Sequence, residues 1–162
     1  MPATSSAIRL ADLALVWDPA RNAADLAMVD GDLASDPGLE TAVLLSLFTD
    51  RRALADDRPP SGDPSDRRGW WADEFAAVER DLIGSRLWLL DRSKRTAETG
   101  RRAEEYVREA LAWMVEDHVV AAIGVVIELA AQALLIGVTL SRPERDPIAF
   151  RFAIAWDAMT TE

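Results

Sequence analysis

Apolar and polar positions alternate at the start of the chain. Leu13, Leu15 and Trp17 fall on one side of the pattern, with Asp12, Ala14, Val16 and Asp18 between them. A period of two is the mark of a half-buried strand. Asp18-Pro19 interrupts it, Asp25-Leu26-Ala27-Met28-Val29 resumes it, and Asp30-Gly31 turns the chain again. The pattern predicts an N-terminal β-hairpin of about 12–17 with 25–29. The likeness of Asp12-Leu-Ala-Leu-Val16 to Asp25-Leu-Ala-Met-Val29 reads as two facing strands rather than a repeat architecture.

The period then lengthens to that of a helix. Leu39, Val43, Leu44, Leu47 and Phe48 recur at helical spacing behind Asp36-Pro37, an N-cap followed by a proline at the first helical position. A helix over about 37–52 is predicted, closed by the cations Arg51 and Arg52 at the negative end of its dipole. Residues 55–69 lose apolar character and collect Pro59, Pro60, Gly62 and Pro64 among aspartates and arginines, which predicts a long exposed loop. Trp70-Trp71 and a short helix through Phe75 and Val78 follow. A second long helix is predicted over 97–116, with Ala103, Val107, Ala110, Leu111 and Met114 inward and Tyr106 and Trp113 flanking. Its outer face offers the pairs Glu98–Arg102, Arg101–Glu105 and Glu104–Arg108. Strands are predicted at 119–129, 133–141 and 148–156, with Pro143 and Pro147 bracketing the last turn. Strands, then helices, then strands describe one α+β domain spanning 1–162, with both long helices packed on one face of a mainly antiparallel sheet and a flexible start at 1–7.

Charge and composition narrow the function classes. The 162 residues carry 18 basic and 28 acidic side chains, a net charge of −10, which disfavours a phosphate-backbone partner. The apolar share of 49% is that of a globular chain. With no cysteine, thiolate zinc sites, iron–sulfur clusters and cysteine nucleophiles drop out. Met1–Ser6 holds no basic stretch leading into an apolar run, so the expectation is a cytoplasmic site of synthesis. Val119–Leu140 has the length of a membrane span, but Glu128 and Gln132 would sit near the bilayer centre, where an acid costs about 2.5 kcal/mol or more. Its many β-branched residues suit two buried strands better.

Candidates for catalysis are few. His118 is the sole histidine, so a histidine-based metal cluster is excluded and a Ser-His-acid triad would depend on one ring at a helix end. Ser46 and Ser85 stand in no nucleophile elbow, and there is no Gly-rich phosphate loop. The loop acids Asp56, Asp57, Asp63 and Asp66 lack calcium-loop spacing. Carboxylates alone leave open a cell-wall glycosidase, which needs two acids about 5 to 9.5 Å apart. Glu104, Glu105 and Glu109 lie among arginines, however, and Glu128 fits an edge strand facing water. Six tryptophans are many for this length. For Trp70 and Trp71, being adjacent, two arrangements are open: one ring packs inward while the other contacts a second protein, or both cover the base of the loop.

Asp12-Leu-Ala-Leu-Val-Trp-Asp18, Asp25-Leu-Ala-Met-Val-Asp-Gly-Asp-Leu-Ala34, Ser46-Leu-Phe-Thr-Asp-Arg-Arg52, Arg67-Arg-Gly-Trp-Trp-Ala-Asp73 and Ile83-Gly-Ser-Arg-Leu-Trp-Leu-Leu-Asp91 together resemble the phage Mu gene product 46 family of tail baseplate proteins, over nearly the whole chain. The resemblance implies a non-enzymatic structural subunit of the contractile-tail baseplate of a Mu-like phage or prophage. It would reside in the virion tail after assembly in the host cytoplasm. Its implied partners are a larger wedge protein and hub or tube components, in six copies around the tail axis, with no nucleic acid, membrane or cofactor. Gly84-Ser-Arg-Leu-Trp88 with Ala103–Trp113 more weakly resembles the T4-type wedge proteins that carry a lysozyme label. Of the Glu-Pro-Arg triplet that follows the long helix there, only Glu116 is present in Val115-Glu116-Asp117-His118. Trp70, Trp71, Arg86, Trp88 and Glu116 are the interface candidates on this reading.

Overall fold

The computed structural model describes residues 12–36, 38–75 and 82–155. In chain order these form β1 (Asp12–Leu13), β2 (Leu15–Asp18), β3 (Ala23–Leu26), β4 (Met28–Val29), β5 (Asp32–Leu33), β6 (Ser35–Asp36), α1 (Glu40–Phe48), α2 (Ala97–Glu116), β7 (Ala122–Leu129), β8 (Ala133–Arg142) and β9 (Arg145–Ala155), with 3₁₀ turns at Trp71–Phe75 and Leu87–Leu90. The broad α+β class stands, but the expected arrangement of a hairpin and two long helices on one sheet does not. Only α2 is long, and the N-terminal strands form three separate ladders. The predicted flexible start and Val78 lie outside the described residues.

Helix α1 has nine residues rather than the predicted sixteen or so because backbone pairing takes both its ends. Asp36 belongs to β6, opposite Asp12, and its carboxylate accepts from the amides of Gly38 (2.7 Å) and Thr41 (2.9 Å). It therefore satisfies a first-turn donor from four residues before the helix. At the other end Thr49 turns extended. Its carbonyl accepts from the Ser85 amide at 2.9 Å, and the Arg51 amide donates to the Ser85 carbonyl at 2.9 Å. The Ser85 hydroxyl donates to the Leu47 carbonyl, and the Trp88 indole donates to the Arg51 carbonyl at 2.8 Å. Helical periodicity cannot register this crossing, since its partner lies more than thirty residues away.

Helix α2 coincides with its predicted span. Thr96 caps it, accepting from the Thr99 amide at 3.2 Å, and Ala103, Val107, Ala110, Leu111 and Met114 are buried as the pattern requires. Of the predicted surface pairs Glu104–Arg108 forms, at 2.8 Å. Glu98 instead meets Arg101, and Arg102 donates to the Tyr106 hydroxyl at 2.7 Å.

The C-terminal strands form an antiparallel sheet in the order β7-β8-β9. Leu134, Ile136, Val138 and Leu140 of β8 are fully buried against the helices, while Glu128 is exposed on β7, an edge strand. Strand β9 starts three residues earlier than predicted and includes Pro147. The register slips between Leu140 and Arg142, so that Asp146 and Pro147 oppose Ser141 alone. A proline is tolerated at such a bulge on an edge strand. No described helix is long and apolar enough to cross a membrane.

The N-terminal strands depart furthest from expectation. β1 pairs with β6, β2 with β3, and β4 with β5. The three ladders meet at Ala14, Ala27 and Ala34, whose backbones close a ring: Ala14 donates to Ala34 (2.9 Å), Ala34 to Ala27 (2.9 Å) and Ala27 to Ala14 (2.8 Å). Each alanine ends an Asp-Leu-Ala triplet: Asp12-Leu13-Ala14, Asp25-Leu26-Ala27 and Asp32-Leu33-Ala34. In each the aspartate accepts from the following leucine amide, at 2.9, 2.8 and 2.8 Å. The two similar segments do face each other over Leu15–Val16 and Asp25–Leu26, but Asp12–Leu13 and Met28–Val29 take other partners, and with the third triplet they are copies around a pseudo-threefold junction. Besides the Asp36–Thr41 bond, two side chains tie the junction to the body. Buried Thr41 accepts from the Leu15 amide (3.2 Å) and donates to the Leu13 carbonyl (2.7 Å). Trp17 stacks on Phe48 at 3.9 Å and donates its indole N–H to the Ala153 carbonyl at 2.7 Å.

Gly84 makes the crossing possible. Its φ is +94°, and a Cβ there would lie 2.3 Å from the Thr49 carbonyl oxygen. Gly84→Ala is expected to cost about 3 kcal/mol or more, from left-handed strain plus overpacking. Chemical denaturation measures this, and a loss under about 1 kcal/mol would show that the crossing tolerates a side chain.

Candidate interaction surfaces

Trp70, Trp71 and Phe75 form an exposed aromatic strip at the end of the long loop. Ring centroids lie 5.9 Å apart for Trp70–Trp71 and 6.4 Å for Trp71–Phe75. Trp71 and Phe75 are 73% and 76% exposed, and Trp70 is exposed as well. Neither ring is buried, so of the two arrangements open to the tryptophan pair the one that sends a ring inward is not what the structure contains. The intervening 3₁₀ turn, with less than four residues per revolution, places Trp71 and Phe75 near enough to share a surface.

Arg86 and Trp88 sit in the interior. Arg86 is 8% exposed; its Nη1 donates to both Asp57 carboxylate oxygens (3.0 and 3.2 Å), its Nε to Glu109 (2.9 Å), and its guanidinium lies 4.6 Å from the Tyr106 ring centre. Burial alone would pull its pKa down. The hydrogen bonds and charges of Asp57 and Glu109 outweigh that and hold it above the ordinary guanidinium value. A base with a raised folded pKa loses its stabilising contribution only as pH rises past that range, so this clasp keeps its cation throughout the neutral region. Trp88 fills the core beneath the Arg68 guanidinium, 4.4 Å from its ring centre. Glu116 is exposed at the last position of α2.

The clasp explains how the loop is held without regular structure. Asp57 ties one limb to Arg86. At the base the Ala53 amide donates to the Arg67 carbonyl at 2.9 Å, and the Arg67 guanidinium bonds the carbonyls of Leu54 and Ala55. At the tip Ser65 bonds the Asp63 carboxylate through its amide (2.8 Å) and hydroxyl (2.7 Å), which lowers the pKa of that exposed acid. Sequence reading missed the clasp because its members stand on three separate segments. A lone arginine inside the apolar run Ile83–Leu90 was the available signal.

Beside the core a cleft of about 210 Å³ lies between Trp17, Phe48, Asp50, Arg68 and Ile154, below the usual ligand-pocket range of roughly 300 to 1,000 Å³. Among the described residues no three acidic or histidine side chains are grouped as a metal site. Glu104 and Glu109 are occupied by Arg108 and Arg86, and Glu116, His118 and Glu128 are exposed.

Comparison with known proteins adds a separate line of observation. The family model described as Phage protein GP46 matches residues 39–147. The baseplate protein gp46 of Escherichia phage Mu is 42% identical over 152 residues, covering 93% of this chain and 100% of that protein. The Mu-like prophage FluMu protein gp46 of Haemophilus influenzae is 33% identical over 117 residues, 72% of this chain and 76% of that protein.

Removing the Arg86 cation leaves the largely enclosed Asp57 carboxylate with the Leu54 amide but without its counter-charge. Arg86→Met is expected to lose about 3 kcal/mol, a fall in Tm of roughly 6 to 12 °C by calorimetry, together with faster proteolysis within 55–69. Arg86→Lys should recover only part, since an ammonium cannot reproduce the forked contact. An unchanged Tm for Arg86→Met would show that the loop is held by other means.

Proposed function

The chain belongs to the Phage protein GP46 family, and from that premise we infer that it is a structural subunit of the tail baseplate of a Mu-like phage or prophage. The observation that carries this is the 42% identity extending over the full length of the Mu baseplate protein. Identity at that level over that span supports a shared fold and a shared place in the assembly.

The subunit acts in a contractile tail as part of the baseplate wedge, in several copies around a six-fold axis. It contacts a larger wedge protein and the hub or tube. It works by fitting against neighbours rather than by transforming a substrate. The aromatic strip of Trp70, Trp71 and Phe75 supports this, because large exposed rings at a fixed site are typical interface anchors. Among the described residues β7 and β9 are outer strands with one strand neighbour each, an arrangement that suits strand addition. The glycosidase alternative finds no comparable support: the acids that suggested it are exposed or held by arginines, whereas a general acid needs an apolar setting.

Co-expression with each of the other baseplate subunits encoded by the same phage tests this reading. A stable complex by size exclusion is expected, and the chain should be present in purified tails. Trp71→Ala should weaken the complex about tenfold, roughly 1.4 kcal/mol, with unchanged thermal stability. Absence of any complex, combined with absence from tails, would refute the assignment.

A further inference from the structure

Strand β9 lies at the edge of the C-terminal sheet, with β8 as its one strand neighbour among the described residues. The outward side of such a strand presents amides and carbonyls on which a further strand can pair. The Ala153 carbonyl belongs to that side, for the Trp17 indole N–H, reaching over from the N-terminal junction, donates to it at 2.7 Å. Successive residues of an antiparallel strand alternate between facing the neighbour and facing out. Ala149 and Arg151 therefore share the outward side with Ala153. Both are exposed, whereas Ala153 is half-buried.

Other features of β9 work in the same direction. Pro147 has no N–H to give and sits in the bulge opposite Ser141, and a proline and a bulge each hinder pairing at an edge. Arg151 places a charge on the stretch between Pro147 and Ala153. The indole itself is held by packing: Trp17 stacks on Phe48 at 3.9 Å, and Phe48 meets Phe152 of β9 edge-on at 5.5 Å. The opposite outer strand differs. β7 contains neither a proline nor a register shift, and its Ile123 carbonyl is met at 3.3 Å by Arg108, a solvent-exposed side chain that also holds Glu104.

We propose that Trp17 is an edge guard, an autoinhibitory contact that closes β9 to a second copy of this chain. Two copies of one edge strand pair antiparallel about a twofold axis. Centred on Arg151, the pair sets two guanidiniums opposite one another, which is unfavourable. Centred on Ala149, it brings Arg151 against Pro147, which lacks the donor. Centred on Ala153, it avoids both and sets Arg151 against Ala155. Trp17 occupies the carbonyl at the middle of that remaining register. The guard depends on this edge geometry alone, whatever larger assembly the subunit enters.

The full chain and its variants are compared by sedimentation velocity over a range of concentrations. Trp17→Phe keeps a ring to stack on Phe48 but donates nothing to Ala153, and its Kd for self-association falls about tenfold or more below that of the wild type. In the associated form the Arg151 and Ala153 amides exchange hydrogen about tenfold more slowly than in the monomer. Adding Arg151→Pro removes an outward donor next to Ala153, leaves the bonds to β8 in place, and reverses the association even though it also removes the repelling charge. In the wild type the Trp17 indole proton exchanges about tenfold more slowly than that of exposed Trp71. That measurement decides the matter even where Trp17→Phe melts too low for comparison. The proposal is overturned if the two indole protons exchange equally fast, if Trp17→Phe associates within twofold of wild type, if its association protects amides of β7 in place of β9, or if Arg151→Pro leaves the association unchanged. None of these results bears on the baseplate role, which the co-expression experiment tests by itself.

Discussion

Thr49 and Ser85 exchange backbone hydrogen bonds in the interior, where the extended chain leaving α1 runs beside the segment that enters the 3₁₀ turn Leu87–Leu90. A buried crossing of this kind has to satisfy every polar group it brings inside, and here backbone, a serine hydroxyl and an indole N–H all take part. The cost of burying them is offset by the apolar residues packed around: Leu44 and Leu47 from α1, Leu87 to Leu90 from the turn, and Leu111 and Met114 from α2. The close approach leaves no space for a side chain at Gly84. The end of α1, the start of the loop and the placing of Arg86 all follow from this contact.

Each device at the surface is anchored to that interior. Arg86 leaves the crossing to grip Asp57 and Glu109, fixing the loop against α2. Thr41, on α1, reaches the N-terminal junction through two hydrogen bonds. Trp17 spans from the junction to Phe48 and β9. A subunit that works by contact needs its surfaces held at fixed mutual positions, because ordering them during association would subtract from affinity. Buried polar clasps supply that rigidity where regular secondary structure is sparse.

Sequence periodicity disclosed what is local. Helix α2 and the core positions of the C-terminal strands follow from apolar spacing, because their stability comes from one amphipathic face meeting the interior. The exposure of Glu128 was legible too, as an acid on an edge strand. Helix α1 was overextended because Thr49 to Arg52 remain compatible with a helix until Ser85 competes for their backbone groups. Of the N-terminal hairpin only the middle was legible, 15–18 against 23–26, whereas Asp12–Leu13 and Met28–Val29 take other partners. Alternation identifies strands but not partners, and strands of two residues have too few side chains to specify a register. The third Asp-Leu-Ala triplet was visible in the chain, yet only the ring of alanine hydrogen bonds reveals what three copies do. Of the interface candidates, Trp70, Trp71 and Glu116 lie at the surface, whereas Arg86 and Trp88 lie within it. Composition does not distinguish an arginine that clasps a loop from one that waits for a neighbour.

The alanine ring also separates what can vary from what cannot. Two arms of the junction end in hairpin turns, between β2 and β3 and between β4 and β5, while the third is where the chain enters and leaves. An insertion at either tip would lengthen one arm and leave the ring closed, since nothing at the centre senses how far an arm extends. An insertion beside Ala14, Ala27 or Ala34 would shift one donor out of place and open all three bonds. The module is therefore built to tolerate change in reach while forbidding change in hub geometry, so a lineage has a route for resizing an arm without refolding its core.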